Sequence, residues 1–123
     1  MGITMAHTSL KVENLEESKR FYIDILGLEH IEDTANEKYY FSLIKAGEGV
    51  IELLESRTSL YEKKATGPID HIAFWVDDLT KCLEKLKAFE IKFLLKEPIE
   101  ALGSSIFFVE GPSGERVELM EKL

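Results

Sequence analysis

The chain has 123 residues, 45% hydrophobic and 31% charged, which is typical of a globular domain and excludes wholesale disorder. Its formal net charge of -8 argues against nucleic acid, because a phosphate backbone needs a positive surface, and gives no attraction to anionic membranes. No apolar run approaches the ~20 residues of a membrane span, and residues 1–10 lack a signal-peptide pattern. The single cysteine, Cys82, excludes an intrachain disulfide, so we expect a cytoplasmic protein.

The first half of the sequence predicts a strand, a helix and three further strands. The first strand begins at His7. The helix covers residues 15–26, where apolar residues recur near helical spacing; Asn14 can cap its first amides and Gly27 ends it. Strand-like runs follow near 28–33, 39–45 and 49–55, with turn residues between them.

The second half repeats this order. His71 lies 64 positions after His7 (71 − 7), and each His is followed by two residues, a bulky apolar residue, one residue and Val. Asp78 stands where Asn14 stands, and apolar residues mark a matching helix over 79–89. Strand-like runs lie near 91–95, 104–109 and 116–120.

The repeated order predicts the domain organisation. We expect one α+β domain over residues 1–123, built from a module at about 4–56, a polar linker at about 57–68 and a second module at about 69–122. Two copies are too few for a solenoid, so two paired modules that share one domain are the simpler prediction.

One His and one Glu of each half fall on the same predicted sheet face. Side chains alternate between faces along a strand, so His7 lies opposite the apolar residues that pack under the helix, as does Glu52. His71 and Glu118 occupy the same positions in the second half. The intervals are similar, 45 residues (52 − 7) and 47 residues (118 − 71).

These four residues predict a metal site. A lone His or Glu on a strand is more often structural or solvated, but the recurrence of the pair in both halves favours ligands. Two imidazoles and two carboxylates suit one divalent ion, nickel or zinc first, with cobalt, manganese or ferrous iron as alternatives. The predicted ligands are His7, Glu52, His71 and Glu118.

Four runs occur in an order that resembles a known superfamily. They are His7-Thr-Ser-Leu-Lys-Val12, Val50-Ile-Glu-Leu53, Asp70-His-Ile-Ala-Phe-Trp-Val-Asp77 and Phe108-Val-Glu-Gly-Pro-Ser-Gly-Glu-Arg-Val-Glu-Leu119. Together they resemble the vicinal oxygen chelate superfamily, and most closely its glyoxalase I (lactoylglutathione lyase) branch. The resemblance implies two tandem βαβββ modules whose curved mixed sheets surround one metal ion.

The resemblance also implies an assembly and an activity. In this branch a homodimer would carry its sites at the interface, with His7 and Glu52 from one subunit and His71 and Glu118 from the other, although single-subunit sites also occur in the superfamily. The implied reaction isomerises a thiol–methylglyoxal hemithioacetal to a lactoyl thioester. Glu118 would move the proton between neighbouring carbons, with Glu52 as the symmetric rival.

The sequence leaves the exact activity and the substrate contacts open. The chain resembles CoA-thioester epimerases, but these usually carry Gln where Glu52 stands; an antibiotic-modifying thiol transferase and a non-catalytic small-molecule-binding protein also fit the resemblance. Where glutathione-dependent members carry Arg and Asn, this chain has Lys11 and Ser56. These two residues are the substrate-binding candidates. At the position of another Arg of the glutathione-dependent members this chain has Gly67, and residues 102–105 lack the Lys that those members carry. The sequence therefore does not identify the thiol.

Overall fold

The structure, a computed structural model, describes residues 2, 6–61, 69–101 and 103–123. The chain forms two compact units, Met1–Lys63 and Lys64–Leu123, here called the first and the second unit. The predicted module and linker bounds stay predictions, and residues 62–68 of the predicted linker lie outside the described residues. Within the described ranges, no helix has the length and apolar character needed to cross a membrane.

The first unit follows the predicted order of elements. Strand β1 is parallel to β4, and the four-stranded sheet has the order β1-β4-β3-β2. The predicted helix is present, but its second half is π-helical, with the amide of Leu26 donating to the carbonyl of Phe21 at 2.9 Å, and Gly27 follows at φ +81°. The elements are β1 (Thr8–Lys11), α1 (Leu15–Lys19) with its π-helical continuation (Arg20–Ile25), β2 (Glu29–Ala35), β3 (Tyr39–Ala46) and β4 (Gly49–Ser56).

The second unit has the same topology. Strand β5 is parallel to β8, and the sheet order is β5-β8-β7-β6. The prediction of an α+β fold with two strand–helix–three-strand modules and mixed sheets is therefore confirmed. The elements are β5 (Ile72–Trp75), α2 (Leu79–Lys87), β6 (Ile99–Ala101), β7 (Ser104–Glu110) and β8 (Arg116–Lys122).

One predicted strand is wrong. Residues 91–95 form only an isolated bridge, between Phe93 and Val109, and the strand that pairs with β7 is β6 (Ile99–Ala101). The apolar run is explained by packing, because the Phe93 ring meets the Phe107 ring edge-on at 5.1 Å. Pairing resumes only after Pro98, which has no amide to donate to a neighbouring strand.

Each helix begins where side-chain oxygens accept hydrogen bonds from the first backbone amides of the helix. As predicted, Asn14 caps α1 and Asp78 caps α2. A glutamate carboxylate from the last strand of the same unit is a second acceptor at each helix start. Glu55 accepts from the amide of Leu15 at 2.8 Å, and Glu121 accepts from that of Leu79 at 2.6 Å. These carboxylates tie the start of each helix to its sheet and offset the positive end of the helix dipole.

In each unit one face of the sheet is buried under the helix, and the other face points away from that helix. On β4, Ile51 and Leu53 are buried, and on β8 Val117 and Leu119 are buried. Because successive residues alternate between faces, the residue between each buried pair points to the opposite side. The buried apolar core of the described residues consists of Val12, Leu15, Phe21, Tyr22, Ile25, Ile44, Ile51, Leu53, Leu54, Leu79, Leu83, Leu86, Ile106, Phe107, Val109, Val117 and Leu119.

A charged cluster on the first unit contains the third histidine, His30. Asp33 on β2 accepts from Lys19 at 2.7 Å and contacts the His30 Nε2 at 2.8 Å. Burial raises the pKa of Asp33, but its hydrogen bonds with Lys19 and His30 outweigh that effect and lower the pKa to about 2. His30 therefore has a structural partner on β2.

The helix-start carboxylates generate a stability prediction. We expect Glu55→Ala and Glu121→Ala each to lower the free energy of unfolding by ~1 kcal/mol, because each leaves a helix amide without its charged acceptor. Urea denaturation measures the change. Glu48→Ala, in the exposed turn before β4, removes the same charge and is the control. Equal losses in all three variants would contradict the capping role.

Asp33 generates a prediction for pH dependence. Its pKa in the fold, about 2, lies below the ordinary 3.8, so its charged form stabilises the fold above about pH 4 and that contribution is lost as pH falls toward 2. We expect Asp33→Asn to cost at most ~1 kcal/mol at neutral pH, since the side chain is 45% exposed and screened by solvent. The difference from wild type should shrink below pH 4 in acid denaturation, and a difference that stays constant down to pH 2 would contradict the role of the Asp33 charge.

Candidate metal centre

The first unit brings His7 and Glu52 together. His7 directly precedes β1, and Glu52 lies on β4 opposite Ser9 in the parallel register. The His7 Nε2 is 3.9 Å from the Glu52 Oε1. The Ser9 hydroxyl donates to that same oxygen at 2.8 Å, so one carboxylate oxygen is held between a hydroxyl and an imidazole. The predicted sheet face of this pair is confirmed by the contacts.

The second unit brings His71 and Glu118 together in the same way. His71 directly precedes β5, and Glu118 lies on β8 opposite Ala73. The His71 Nε2 is 3.3 Å from the Glu118 Oε1. The Glu118 side chain is only 11% exposed, whereas that of Glu52 is 21% exposed. Ala73 stands where the first unit has Ser9, so the cross-strand neighbour of this carboxylate carries no hydroxyl.

His71 has a set of neighbours that the sequence reasoning missed. Its Nδ1 is 2.7 Å from the Asp70 Oδ2, and Arg116 donates to that same oxygen at 2.6 Å. The hydrogen bond from His71 and the charge of Arg116 lower the pKa of Asp70 below its usual value. The guanidinium of Arg116 lies over the ring of Phe108 at 4.7 Å, and the His71 ring meets that ring edge-on at 5.3 Å.

The sequence contains only a weak indication that Asp70 and Arg116 lie beside His71. Asp70 directly precedes the predicted ligand, and Arg116 precedes the buried strand position that pairs with β5. An Asp–His dipeptide alone does not reveal which imidazole nitrogen the carboxylate contacts.

The donor chemistry of each pair fits a divalent ion. Two donors that each bind an ion at about 2.1 Å are about 3.0 to 3.4 Å apart at octahedral to tetrahedral angles. The separation between imidazole nitrogen and carboxylate oxygen is 3.3 Å in the second unit, inside this range, and 3.9 Å in the first unit, wider than it. Each pair belongs to its own unit, and among residues 2, 6–61, 69–101 and 103–123 no three or more His, Cys, Asp or Glu side chains group closely enough to hold an ion. The four-ligand site stays a prediction.

The predicted substrate-binding residues differ in their surroundings. Lys11 ends β1 with an exposed side chain, two residues beyond Ser9 and therefore on the same face. Ser56 ends β4, where its hydroxyl accepts from the amide of Ser59 at 3.0 Å and from that of Thr58 at 3.3 Å. A substrate would have to compete with this turn for Ser56. Both roles stay predictions, and Gly67 lies outside the described residues.

Known proteins are similar to this chain in sequence and in fold. A family model described as Glyoxalase/Bleomycin resistance protein/Dioxygenase superfamily matches residues 4–119. Lactoylglutathione lyase of Escherichia coli O157:H7 is 31% identical over 96% of this chain and 92% of its own, and Bacillus subtilis YwbC is 30% identical over 99% and 100%. Trypanothione-dependent glyoxalase I of Leishmania major has a TM-score of 0.82 at 23% identity, over 98% of this chain and 87% of its own. The chain therefore belongs to the glyoxalase/bleomycin resistance protein/dioxygenase superfamily, the vicinal oxygen chelate superfamily that its motifs resemble.

Proposed function

We propose that this protein is a metal-dependent isomerase of the glyoxalase I type, which converts a thiol–methylglyoxal hemithioacetal into a lactoyl thioester. The observation that carries the proposal is the repeated pair: each unit presents an imidazole nitrogen and a carboxylate oxygen 3.9 or 3.3 Å apart at equivalent sheet positions. A relative that is 31% identical and is named lactoylglutathione lyase supports the same class of reaction.

The two pairs would act together on one ion. In the proposed homodimer, His7 and Glu52 of one chain and His71 and Glu118 of the other would supply its four ligands, and nickel or zinc is the proposed ion, with cobalt, manganese or ferrous iron as alternatives. When bound, such an ion would supply Lewis-acid polarisation of the substrate and would make its carbon-bound proton more acidic. The chain's own residues would then have to move one proton between two carbons, while the hydroxyl proton is lost to solvent and the former ketone oxygen gains a proton from solvent.

Glu118 is the better suited of the two carboxylates to move that proton. Glu52 is more exposed, and the Ser9 hydroxyl donates to its Oε1 at 2.8 Å, which holds that carboxylate in one orientation. Glu118 is more enclosed and lies opposite Ala73. In the proposed reaction Glu118 takes the proton from the carbon that bears the sulfur and hydroxyl and returns it to the neighbouring carbon. No net oxidation occurs, since the aldehyde-derived carbon is oxidised as the ketone carbon is reduced.

The substrate is proposed as a small thiol adduct that carries negative charge. Lys11 shares a face with Ser9 and provides an exposed ammonium for a carboxylate, but not the two-pronged contact of an Arg. Glutathione and other small thiols are therefore both candidate co-substrates. A cytoplasmic location is part of the proposal, because reduced thiols and a single cysteine suit a reducing compartment.

We expect the activity to depend on both Glu118 and Glu52. Metal-loaded protein with methylglyoxal and a thiol should form the lactoyl thioester, followed by its ultraviolet absorbance, with glutathione and bacterial thiols tried in parallel. Glu118→Gln should lower kcat by about 10²- to 10⁴-fold, because Gln cannot accept the proton. Glu52→Gln should also lose activity, and Glu48→Gln in the exposed turn should retain it.

A chelator and a mixing experiment complete the test. Chelation should abolish thioester formation, and the returned ion should restore it. If subunits exchange on mixing, inactive Glu52→Gln and Glu118→Gln chains should recover roughly a quarter of the wild-type sites, because half of the dimers would be mixed and one of their two shared sites would be intact. Bound metal without thioester formation from any thiol would contradict the reaction and favour another metalloenzyme of the superfamily. Protein without metal would favour a binding protein.

A further inference from the structure

We infer that Asp70 is a positioning residue for His71, and that Arg116 holds Asp70 in that role. The second unit would thus carry an imidazole whose metal-facing nitrogen is set before any ion arrives. The inference rests on the proposed function in treating His71 as a ligand. The relevant contacts are within the second unit and can be measured without metal.

The hydrogen bond between Asp70 and His71 fixes which ring nitrogen carries the proton. The Asp70 Oδ2 is 2.7 Å from His71 Nδ1, and an ionised carboxylate can only accept, so Nδ1 must donate. In the neutral ring the other nitrogen, Nε2, then keeps its lone pair. That lone pair belongs to the atom 3.3 Å from the Glu118 Oε1, which is the nitrogen a metal would need.

Arg116 gives the Asp70 carboxylate a second, charged donor. Its guanidinium donates to the same Oδ2 at 2.6 Å, which favours the ionised carboxylate and limits its rotation away from His71. Phe108, on the neighbouring strand β7, contacts both partners, with the guanidinium over its ring at 4.7 Å and the imidazole edge-on at 5.3 Å. Asp70, Arg116 and Phe108 therefore define both the rotation and the tautomer of the His71 ring.

The first unit offers an internal comparison, because it lacks these residue types at the equivalent positions. Ala6 precedes His7 where Asp70 precedes His71, and by strand register Val50 stands where Arg116 stands. In that unit the polar neighbour, Ser9, holds the carboxylate instead of the imidazole. The second unit fixes its imidazole, and the first unit fixes its carboxylate.

The tautomers of the histidines test the inference directly. The chain has three histidines, so long-range ¹H–¹⁵N correlations of the metal-free full chain at about pH 8.5, where imidazoles are neutral, can be assigned by single substitutions. We expect His71 to be in the Nδ1–H tautomer in wild type and to lose that preference in Asp70→Ala. Asp77→Ala, a matched loss of one exposed carboxylate in the same unit, should change nothing. Ala6→Asp should shift His7 toward the Nδ1–H tautomer.

Metal affinity is the second measurement. Titration with Co²⁺, followed by visible absorption, should show at least about tenfold weaker binding for Asp70→Ala than for wild type and Asp77→Ala, because loss of a ligand's hydrogen-bond partner typically costs 10- to 100-fold. Asp70→Glu should recover part of the affinity. Equal thermal midpoints for these variants would separate positioning from folding, and the Asp70 side chain, 51% exposed, makes equal midpoints the expected result.

Separate outcomes overturn the inference and the proposed function. A wild-type His71 that carries its proton on Nε2, or an Asp70→Ala variant with unchanged tautomer and Co²⁺ affinity, would overturn the positioning role. The expected tautomer together with absent metal binding would uphold the contact between Asp70 and His71 and overturn the proposed metal-dependent reaction. The expected tautomer and the tenfold loss of affinity would support both.

Discussion

The parallel pairing of the first and last strand in each unit is the constraint on which the candidate site depends. That pairing sets Ser9 opposite Glu52 and Ala73 opposite Glu118, so each carboxylate has a small cross-strand neighbour. The histidine two positions before that small residue can then reach the carboxylate across the strand pair. A register shift by one residue would turn the Glu toward the helix and into the apolar core, at a large desolvation cost.

The two faces of each sheet use carboxylates for different purposes. On the helix side, Glu55 and Glu121 accept the first helix amides and tie α1 and α2 to their sheets. On the opposite side, Glu52 and Glu118 contact imidazoles. Glu55 follows Glu52 by three residues on β4, and Glu121 follows Glu118 by three residues on β8. Because side chains alternate along a strand, this odd spacing puts the helix-capping carboxylate and the candidate ligand on opposite faces.

Much of this arrangement was predictable because it depends on periodicity. Alternation along the strands placed His7 with Glu52 and His71 with Glu118, and the internal repeat gave the order of elements. The strand at Ile99–Ala101 was not predictable, because the apolar run at 91–95 serves packing through Phe93 instead of strand pairing. Contacts between distant polar residues, such as Asp70 with Arg116, depend on backbone geometry that spacing does not encode.

The two units have the same strand and helix arrangement but different hydrogen bonds around the candidate ligands. Both have an Asx-type helix cap, a carboxylate at the helix start and an imidazole–carboxylate pair. They differ in which member of the pair is held by a hydrogen bond, Glu52 by Ser9 or His71 by Asp70. Such a difference suits a division of labour in which one carboxylate stays fixed and the other is free to carry a proton.

X-ray absorption at the metal edge of the Co²⁺-loaded protein can establish whether both pairs bind the same ion, as we propose. We expect scattering from two imidazoles in wild type and from one imidazole in each of His7→Ala and His71→Ala. A wild-type spectrum with a single imidazole, unaffected by one of those substitutions, would mean that the two pairs do not share an ion.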